Sequence, residues 1–260
     1  MTLPALIITA MLAAVPLNAF LEAQGLRQGP RATVAGVVDG DTVVLESGKE
    51  VRLVGIMAPK LSLGRDWLAD QPLSHEARAA LAALVEGREV TLAYGGTRHD
   101  RHGRILAHLF LDDGTWVQGW MLEHGLARVY SFADNRGAVP AMLALEETAR
   151  QDGLGIWAER FYAVRDAANP AGVPLDSFEL VEGVVMDAAA VDRRIFLNFG
   201  QDWASDVTAT ISPADRGSFR ATTLDPLALE GKRVRIRGWT SWRNGPSITV
   251  DHPEQIEILE

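Results

Sequence analysis

Three short stretches gather residues that could act on a phosphate. They are Val38-Asp39-Gly40-Asp41-Thr42, then Val51-Arg52-Leu53-Val54-Gly55-Ile56, then Asp100-Arg101-His102-Gly103-Arg104. Two carboxylates at one turn can share a hard cation, which takes several oxygen ligands. A guanidinium grips a phosphate through paired charged hydrogen bonds, which an ammonium cannot do. Together these groups are parts for binding a phosphodiester, and for cutting it if a metal activates water. The same residues admit a plainer reading, in which Asp39-Gly40-Asp41 is a turn and the arginines are surface ion-pair partners.

The elements that would carry these residues follow from the apolar pattern. Thr33–Val38, Thr42–Glu46 and Val51–Ile56 read as strands, with a hairpin turn at Asp39-Gly40 and another turn at Gly48. Ser74 is expected to cap a helix through about Val85, on which Ala77, Leu81, Leu84 and Val85 share a face. Strands Glu89–Tyr94 and Ile105–Leu111 follow, then a helix from Val117 to about His124 and one from Pro140 to Gln151. This order predicts a mostly β fold with packed helices (α+β), an OB-type five-stranded barrel with three helices, over residues 33–160. Residues 24–32 and 161–177 read as linkers, the second around Asn169-Pro170-Ala171-Gly172-Val173-Pro174. Beyond them, alternation at Ile195, Leu197 and Phe199, at Val207, Ala209 and Ile211, and at Val234 and Ile236 predicts a second small OB-like β-barrel over 178–260. On one face of that unit Arg235, Arg237 and Trp239 alternate, a pattern suited to single-stranded nucleic acid; a snorkelling arginine pair beside a packing tryptophan is the plainer alternative.

Composition narrows the options. The net charge of −9 repels polyanions at long range, so any nucleic-acid contact must be a local cationic pocket. There are no cysteines, which removes disulfides and thiolate metal sites. Leu3 to Leu21 is almost wholly apolar, and residues 1–23 are expected to be a signal peptide or N-terminal anchor, with cleavage after Ala19 or Ala23. Export to the periplasm or the exterior is the expectation, with membrane contact only through an uncleaved segment 3–21.

The ordered motifs resemble the thermonuclease (staphylococcal-nuclease-like) family over about residues 33–159. The resemblance rests on Asp-Gly-Asp-Thr, Val-Arg-Leu, the Pro-containing turn and Gly103-Arg104-Ile105-Leu106-Ala107. Gly125-Leu126-Ala127-Arg128-Val129-Tyr130 and Gly155-Ile156-Trp157 extend it. It implies an OB barrel and calcium-dependent hydrolysis of DNA and RNA phosphodiesters. Asp41 matches a calcium-binding aspartate and Asp39 a nearby acidic position. Arg52 and Arg104 match the catalytic arginines that bear on the scissile phosphate, and His102 a position often held by a tyrosine of the nucleotide site. The turn Met57-Ala58-Pro59-Lys60 departs from the family. Met57 stands where the second calcium-ligating aspartate belongs, and Lys60 where the water-activating glutamate belongs.

A thioether is a poor ligand for Ca²⁺, and a protonated lysine has no lone pair to take a proton. The two changes make the turn three formal charges more positive. Arg52, Lys60, Arg104 and His102 are therefore expected to hold a phosphate directly, with Asp41 and Asp39 left as an incomplete metal site. Ca²⁺ enters only if cleavage survives. Asp66 or Asp70 of the loop 61–73 could fold back as a replacement carboxylate, and His99, Asp100 and His102 could form a metal trio. Three functions stay open: a degenerate phosphate- or nucleic-acid-binding module, an active metal-dependent phosphodiesterase with a modified site, and a structural partner-binding protein.

Overall fold

The first half owes its shape to strands whose alternate residues are apolar. The computed structural model describes residues 16–220 and 222–259. After α1 (Leu17–Ala23), strands β1 (Arg27–Asp39), β2 (Thr42–Leu45) and β3 (Glu50–Leu53) form an antiparallel meander. A short β4 (Gly55–Met57) and helix α2 (Ser74–Val85) lead to β5 (Glu89–Tyr94) and β6 (Ile105–Leu111). The barrel closes in the order β1-β2-β3-β6-β5, with β3 and β6 parallel. Val34, Val43, Val51, Leu53, Leu92 and Leu109 point into its core, which α2, α3 (Val117–Glu123) and α4 (Val139–Gln151) cover.

Two local expectations differ from what is seen. The run Val51–Ile56 does not continue as one strand. Gly55 takes φ +85, a conformation open to glycine, and β4 leaves the barrel to pair with β7 (Arg128–Tyr130). Ser74 does not cap α2: Leu73 holds that place in a left-handed conformation, and the Ser74 hydroxyl is buried without a partner. The segment 24–32 is less a linker than expected, because β1 already runs from Arg27 and pairs with β5 from Arg27 onward.

The predicted leader falls mostly on residues 1–15, outside the described residues; its last part is α1, which packs Leu21 against Phe110 and Ala138. Among the described residues no helix is long and apolar enough to cross a membrane.

The second half is built around one sheet. Its strands are β8 (Arg165–Asp166), β9 (Phe178–Val184), β10 (Asp187–Val191), β11 (Arg194–Asn198) and β12 (Thr208–Ile211). After α5 (Arg216–Phe219) come β13 (Arg233–Trp242), β14 (Pro246–Thr249) and β15 (Ile256–Leu259). Their order is β10-β11-β12-β14-β13-β9-β8, with β15 on β13. The long β13 turns from β9 and β15 at its start to β14 at its end. The segment read as the 161–177 linker has structure of its own: β8 pairs with β9, and Ala167 and Val173 join the second core.

The halves are joined by buried polar contacts. Arg237 Nη2 lies 2.7 Å from Glu146 and 2.5 Å from Glu257. Arg128 donates to the Phe178 carbonyl at 2.8 Å, and Ser131 Oγ meets His252 Nε2 at 2.7 Å.

One buried residue predicts acid sensitivity. His108 on β6 is enclosed beside Trp116, and burial alone pushes its pKa down to about 3 from 6.5. Between those pH values the unfolded chain binds the proton and the folded chain does not. Stability must therefore fall as pH drops below 6.5, at up to about 1.4 kcal/mol per pH unit, until about pH 3. Urea midpoints measured from pH 7 to pH 4 should show this slope, and His108→Gln should flatten it. An unchanged slope in that variant would assign the acid loss to other groups.

Candidate phosphate-binding cleft

The turn between β1 and β2 sets the floor of the site. Asp39 pairs with Thr42, so Gly40 and Asp41 form the bend. A Cβ on Gly40 would come within 2.5 Å of Ala58 Cβ and 2.9 Å of Ala77 Cβ. Glycine thus lets the bend seat on α2 and on the turn after β4. That seating brings the Asp41 carboxylate, 0% exposed, beneath the Ala58 amide.

Both carboxylate oxygens of Asp41 are engaged by the protein. Oδ1 lies 2.8 Å from Arg52 Nη1 and accepts from Thr42 Oγ1 at 3.3 Å. Oδ2 accepts from Lys60 Nζ at 2.7 Å and from the Ala58 N–H at 2.8 Å. Burial by itself raises the pKa of Asp41, but Arg52, Lys60 and the hydrogen bonds from Lys60 and Ala58 outweigh it and bring it to about 2. Asp39 is shifted up instead, first by burial and then by the Asp41 charge. Its Oδ1 accepts the Asp41 N–H at 3.1 Å, and its Oδ2 is 3.8 Å from Lys60 Nζ.

These donors do not fit a calcium ion. A carboxylate offers about four lone-pair directions; Asp41 spends three on hydrogen bonds from Thr42, Lys60 and Ala58, and it pairs with the Arg52 guanidinium besides. The Lys60 ammonium already brings a positive charge to both aspartates, 2.7 Å from Asp41 and 3.8 Å from Asp39. Met57 is 7% exposed and packs with Phe178 and Leu180 of the second half, so it supplies no oxygen. Among the described residues, no group of three His, Cys, Asp or Glu side chains is placed to hold a metal ion. Asp70 is engaged by the Ser62 N–H of its own loop and by His75 at the start of α2, and Asp66 is exposed on that loop; neither lines the cleft. The His99–Asp100–His102 trio is not a metal site either. Asp100 accepts from the His102 and Arg104 amides at 2.8 and 3.0 Å and from Arg104 Nε at 2.7 Å. It organises the turn, with Gly103 at φ +82.

Above this floor lies a cleft of about 760 Å³. Arg52, Lys60, Arg65, Arg101, His102 and Arg104 line it, together with Tyr130, Phe132 and Trp239. The two arginines of the motif sit differently. Arg52 turns inward, donating to the Asp41, Leu53 and Ile56 carbonyls at 3.1, 3.2 and 2.8 Å. Arg104 is more open and has one carboxylate partner, Asp100. His102 is exposed, and its Nε2 accepts from Arg101 Nε at 3.0 Å. Sequence reasoning missed Arg65, Arg101, Tyr130 and Phe132. The Tyr130-Ser131-Phe132 spacing, two aromatics on one face of an extended segment, was the available signal.

The nucleic-acid face expected on the second half does not exist as drawn. Arg235 and Arg237 are 4% and 1% exposed. Arg235 pairs with Glu147, Glu182 and Glu257, and Arg237 with Glu146 and Glu257. They hold the halves together and cannot reach a ligand. Trp239 alone of the three is exposed, and it points into the cleft of the first half.

A closed five-stranded barrel with packed helices and a cationic cleft beside its β1–β2 turn defines an OB-type, nuclease-like protein. Comparison with known proteins agrees. The family described as "Staphylococcal nuclease homologue" matches residues 50–159. An "Uncharacterized endonuclease" of Escherichia coli is 37% identical over 131 residues, covering 48% of this chain and 76% of that protein. "Endonuclease YncB" of Bacillus subtilis (strain 168) is 31% identical, with 53% and 66% covered. "Thermonuclease" of Staphylococcus intermedius is 26% identical, with 50% and 77% covered. The chain belongs to the staphylococcal nuclease family. About half of it, the second sheet included, lies outside these similarities.

Proposed function

We propose that this nuclease-family chain binds a nucleotide or nucleic-acid phosphate without a divalent cation and has lost the family's metal-dependent cleavage. The observation that carries this reading is the Lys60 ammonium, 2.7 Å from Asp41 Oδ2, which already brings a positive charge to that carboxylate. It leaves Arg104, Arg101 and the outer face of Lys60 to meet an anion in the cleft. A lysine already protonated and paired has no lone pair for activating water.

The test is calorimetry with a 3′,5′-bisphosphonucleoside in EDTA, alongside a nuclease assay with Ca²⁺, Mg²⁺, Mn²⁺ and EDTA arms. Binding in EDTA without cleavage in any arm is expected. Arg104→Ala should weaken it roughly ten- to hundredfold, by loss of one charged donor. Arg52→Ala should act more on stability than on binding, because its donors are spent on the protein. Binding that needs Ca²⁺, with strand cleavage, would reject the reading. The similar proteins named endonucleases, and the retained Arg52 and Arg104, favour a second reading as an active phosphodiesterase with a modified site, and cleavage in one metal arm would establish it. Silence in both assays from folded protein would leave the partner-binding role.

A further inference from the structure

Trp239 lies outside the segment shared with the staphylococcal nuclease family, yet it lines the same cleft as Arg104 and Lys60. We propose that the second half supplies the base-stacking wall of this cleft through Trp239, so that the ligand is a single-stranded nucleic acid with one unpaired base laid on that ring. The proposal rests on the phosphate-binding reading above and names its ligand class.

The ring is exposed and yet fixed. Trp239 is 52% exposed, although its neighbours Gly238 and Thr240 on β13 are buried. Its register partner on β9 is Phe178, whose ring meets it edge-on at 6.4 Å and 71°. Its Nε1–H donates to the Tyr130 hydroxyl at 3.1 Å. Tyr130 is held in turn by edge contacts to Phe178 at 5.0 Å and to Phe132 at 4.6 Å. The polar edge of the indole is therefore satisfied by the protein, and what the ring offers is flat apolar surface. Phe132, 43% exposed, adds a second open ring on the same cleft.

The neighbouring charges decide what such a surface would accept. A plain apolar patch would suit a protein partner, but this one shares its cleft with Arg52, Lys60, Arg65, Arg101 and Arg104, which outnumber the Asp100 and Asp134 carboxylates there. Aromatic faces beside cations match a base joined to its phosphate, and stacking of this kind does not depend on the base's identity. A base inside a duplex has both faces covered, so only an unpaired one can be seated. The acidic charge of the whole chain confines attraction to this cleft. The other exposed tryptophans provide an internal contrast. Trp242, on the same strand and 66% exposed, does not line the cleft.

The experiment measures binding of the full chain, in EDTA at low salt, to an eight-residue oligothymidylate and to an abasic oligomer with the same number of phosphates. The oligothymidylate should bind more tightly. Trp239→Ala should weaken it roughly five- to hundredfold, the range for loss of one stacked base, and should leave the abasic oligomer unchanged. Trp239→Phe, which keeps a ring and the packing on Phe178, should retain most of the affinity and guards against a folding defect. Trp242→Ala should change neither ligand. An oligothymidylate affinity unmoved by Trp239→Ala would overturn the stacking wall and leave phosphate binding standing. Equal weakening of both oligomers would also overturn it, because Trp239 would then shape the cleft instead of contacting a base. Failure of the parent protein to bind either oligomer would overturn the phosphate reading and this one together.

Discussion

Lys60→Glu is expected to destabilise the protein in EDTA by about 3 kcal/mol and to make its stability respond to calcium. Lys60 Nζ is 2.7 Å from a carboxylate that has no exposed surface. Removing one member of a buried pair costs about 3–5 kcal/mol. The low end applies because the Lys60 side chain is 27% exposed and Arg52 still faces Asp41. Reversing the charge adds repulsion among the introduced carboxylate, Asp41 and Asp39. Those three groups are then an oxygen cluster suited to a hard cation. An ion binding only the folded form stabilises by RT ln(1 + [L]/Kd), about 2.7 kcal/mol at a hundred times Kd. Urea midpoints with EDTA and with Ca²⁺ read both effects. The parent should show no calcium response, and Lys60→Met should lose stability without gaining one. A parent that calcium stabilises as strongly as the variant would mean that the ammonium does not stand in for the cation's charge. A variant as stable as the parent in EDTA would mean that the Lys60–Asp41 pair contributes nothing.

The same geometry explains why the other departure is harder to reverse. Met57 is packed against Phe178 and Leu180. Met57→Asp would place a carboxylate among those side chains, where burial disfavours the charged form. Phe178 and Leu180 of the second half thus pack on Met57, which also lines the cleft.

Much of the first half was legible because its information is local. The barrel strands alternate, Gly40 and Gly48 mark turns, and Asp39, Asp41, Arg52, His102 and Arg104 lie inside three short motifs, although Lys60 and Arg65 of the cleft lie outside them. The departure at Met57 and Lys60 was readable only against the pattern of the family that the motifs resemble. What could not be read was which partners the chain would bring to each charge. Arg235 and Arg237 alternate on a strand as a binding face would, but Glu146 and Glu147 lie some ninety residues away in sequence, on α4. No local pattern reports such a pairing. Trp239 was singled out on that same strand and proved to face a cleft of the other half, again through a contact remote in sequence. β9 and β10 escaped the strand reading, and part of the reason is local. β10 is Asp-Ala-Ala-Ala-Val, with little of the β-branched and aromatic bulk that marks a strand.

Arg237→Met should be the most destabilising single change between the two halves, at about 3–5 kcal/mol. The Arg237 side chain is 1% exposed and faces Glu146, also 1% exposed, and Glu257. Burial opposes its charge, yet those two carboxylates raise its pKa above the ordinary arginine value, so the guanidinium is charged. It also donates to the Val129 carbonyl at 3.2 Å, on the strand that carries Tyr130. A thioether in its place leaves Glu146 without its counter-charge and Glu257 with Arg235 alone, at 3.3 Å. The double variant Arg237→Met with Glu146→Gln should recover more than half of the loss. The amide oxygen can still accept the Val129 N–H, now held by Glu146 at 2.8 Å, and the buried charge is gone. Urea unfolding followed by tryptophan fluorescence and by far-UV dichroism supplies the measurement. The parent should unfold in one transition, because Arg237, Arg235, Arg128 and His252 couple the halves. Arg237→Met should separate the two probes, and limited proteolysis should then cut first between Asn169 and Pro174, where the chain is mostly exposed. Unchanged midpoints would show that the pair breaks even against an apolar residue. Loss of both signals together at a lower midpoint would show that neither half stands without the other.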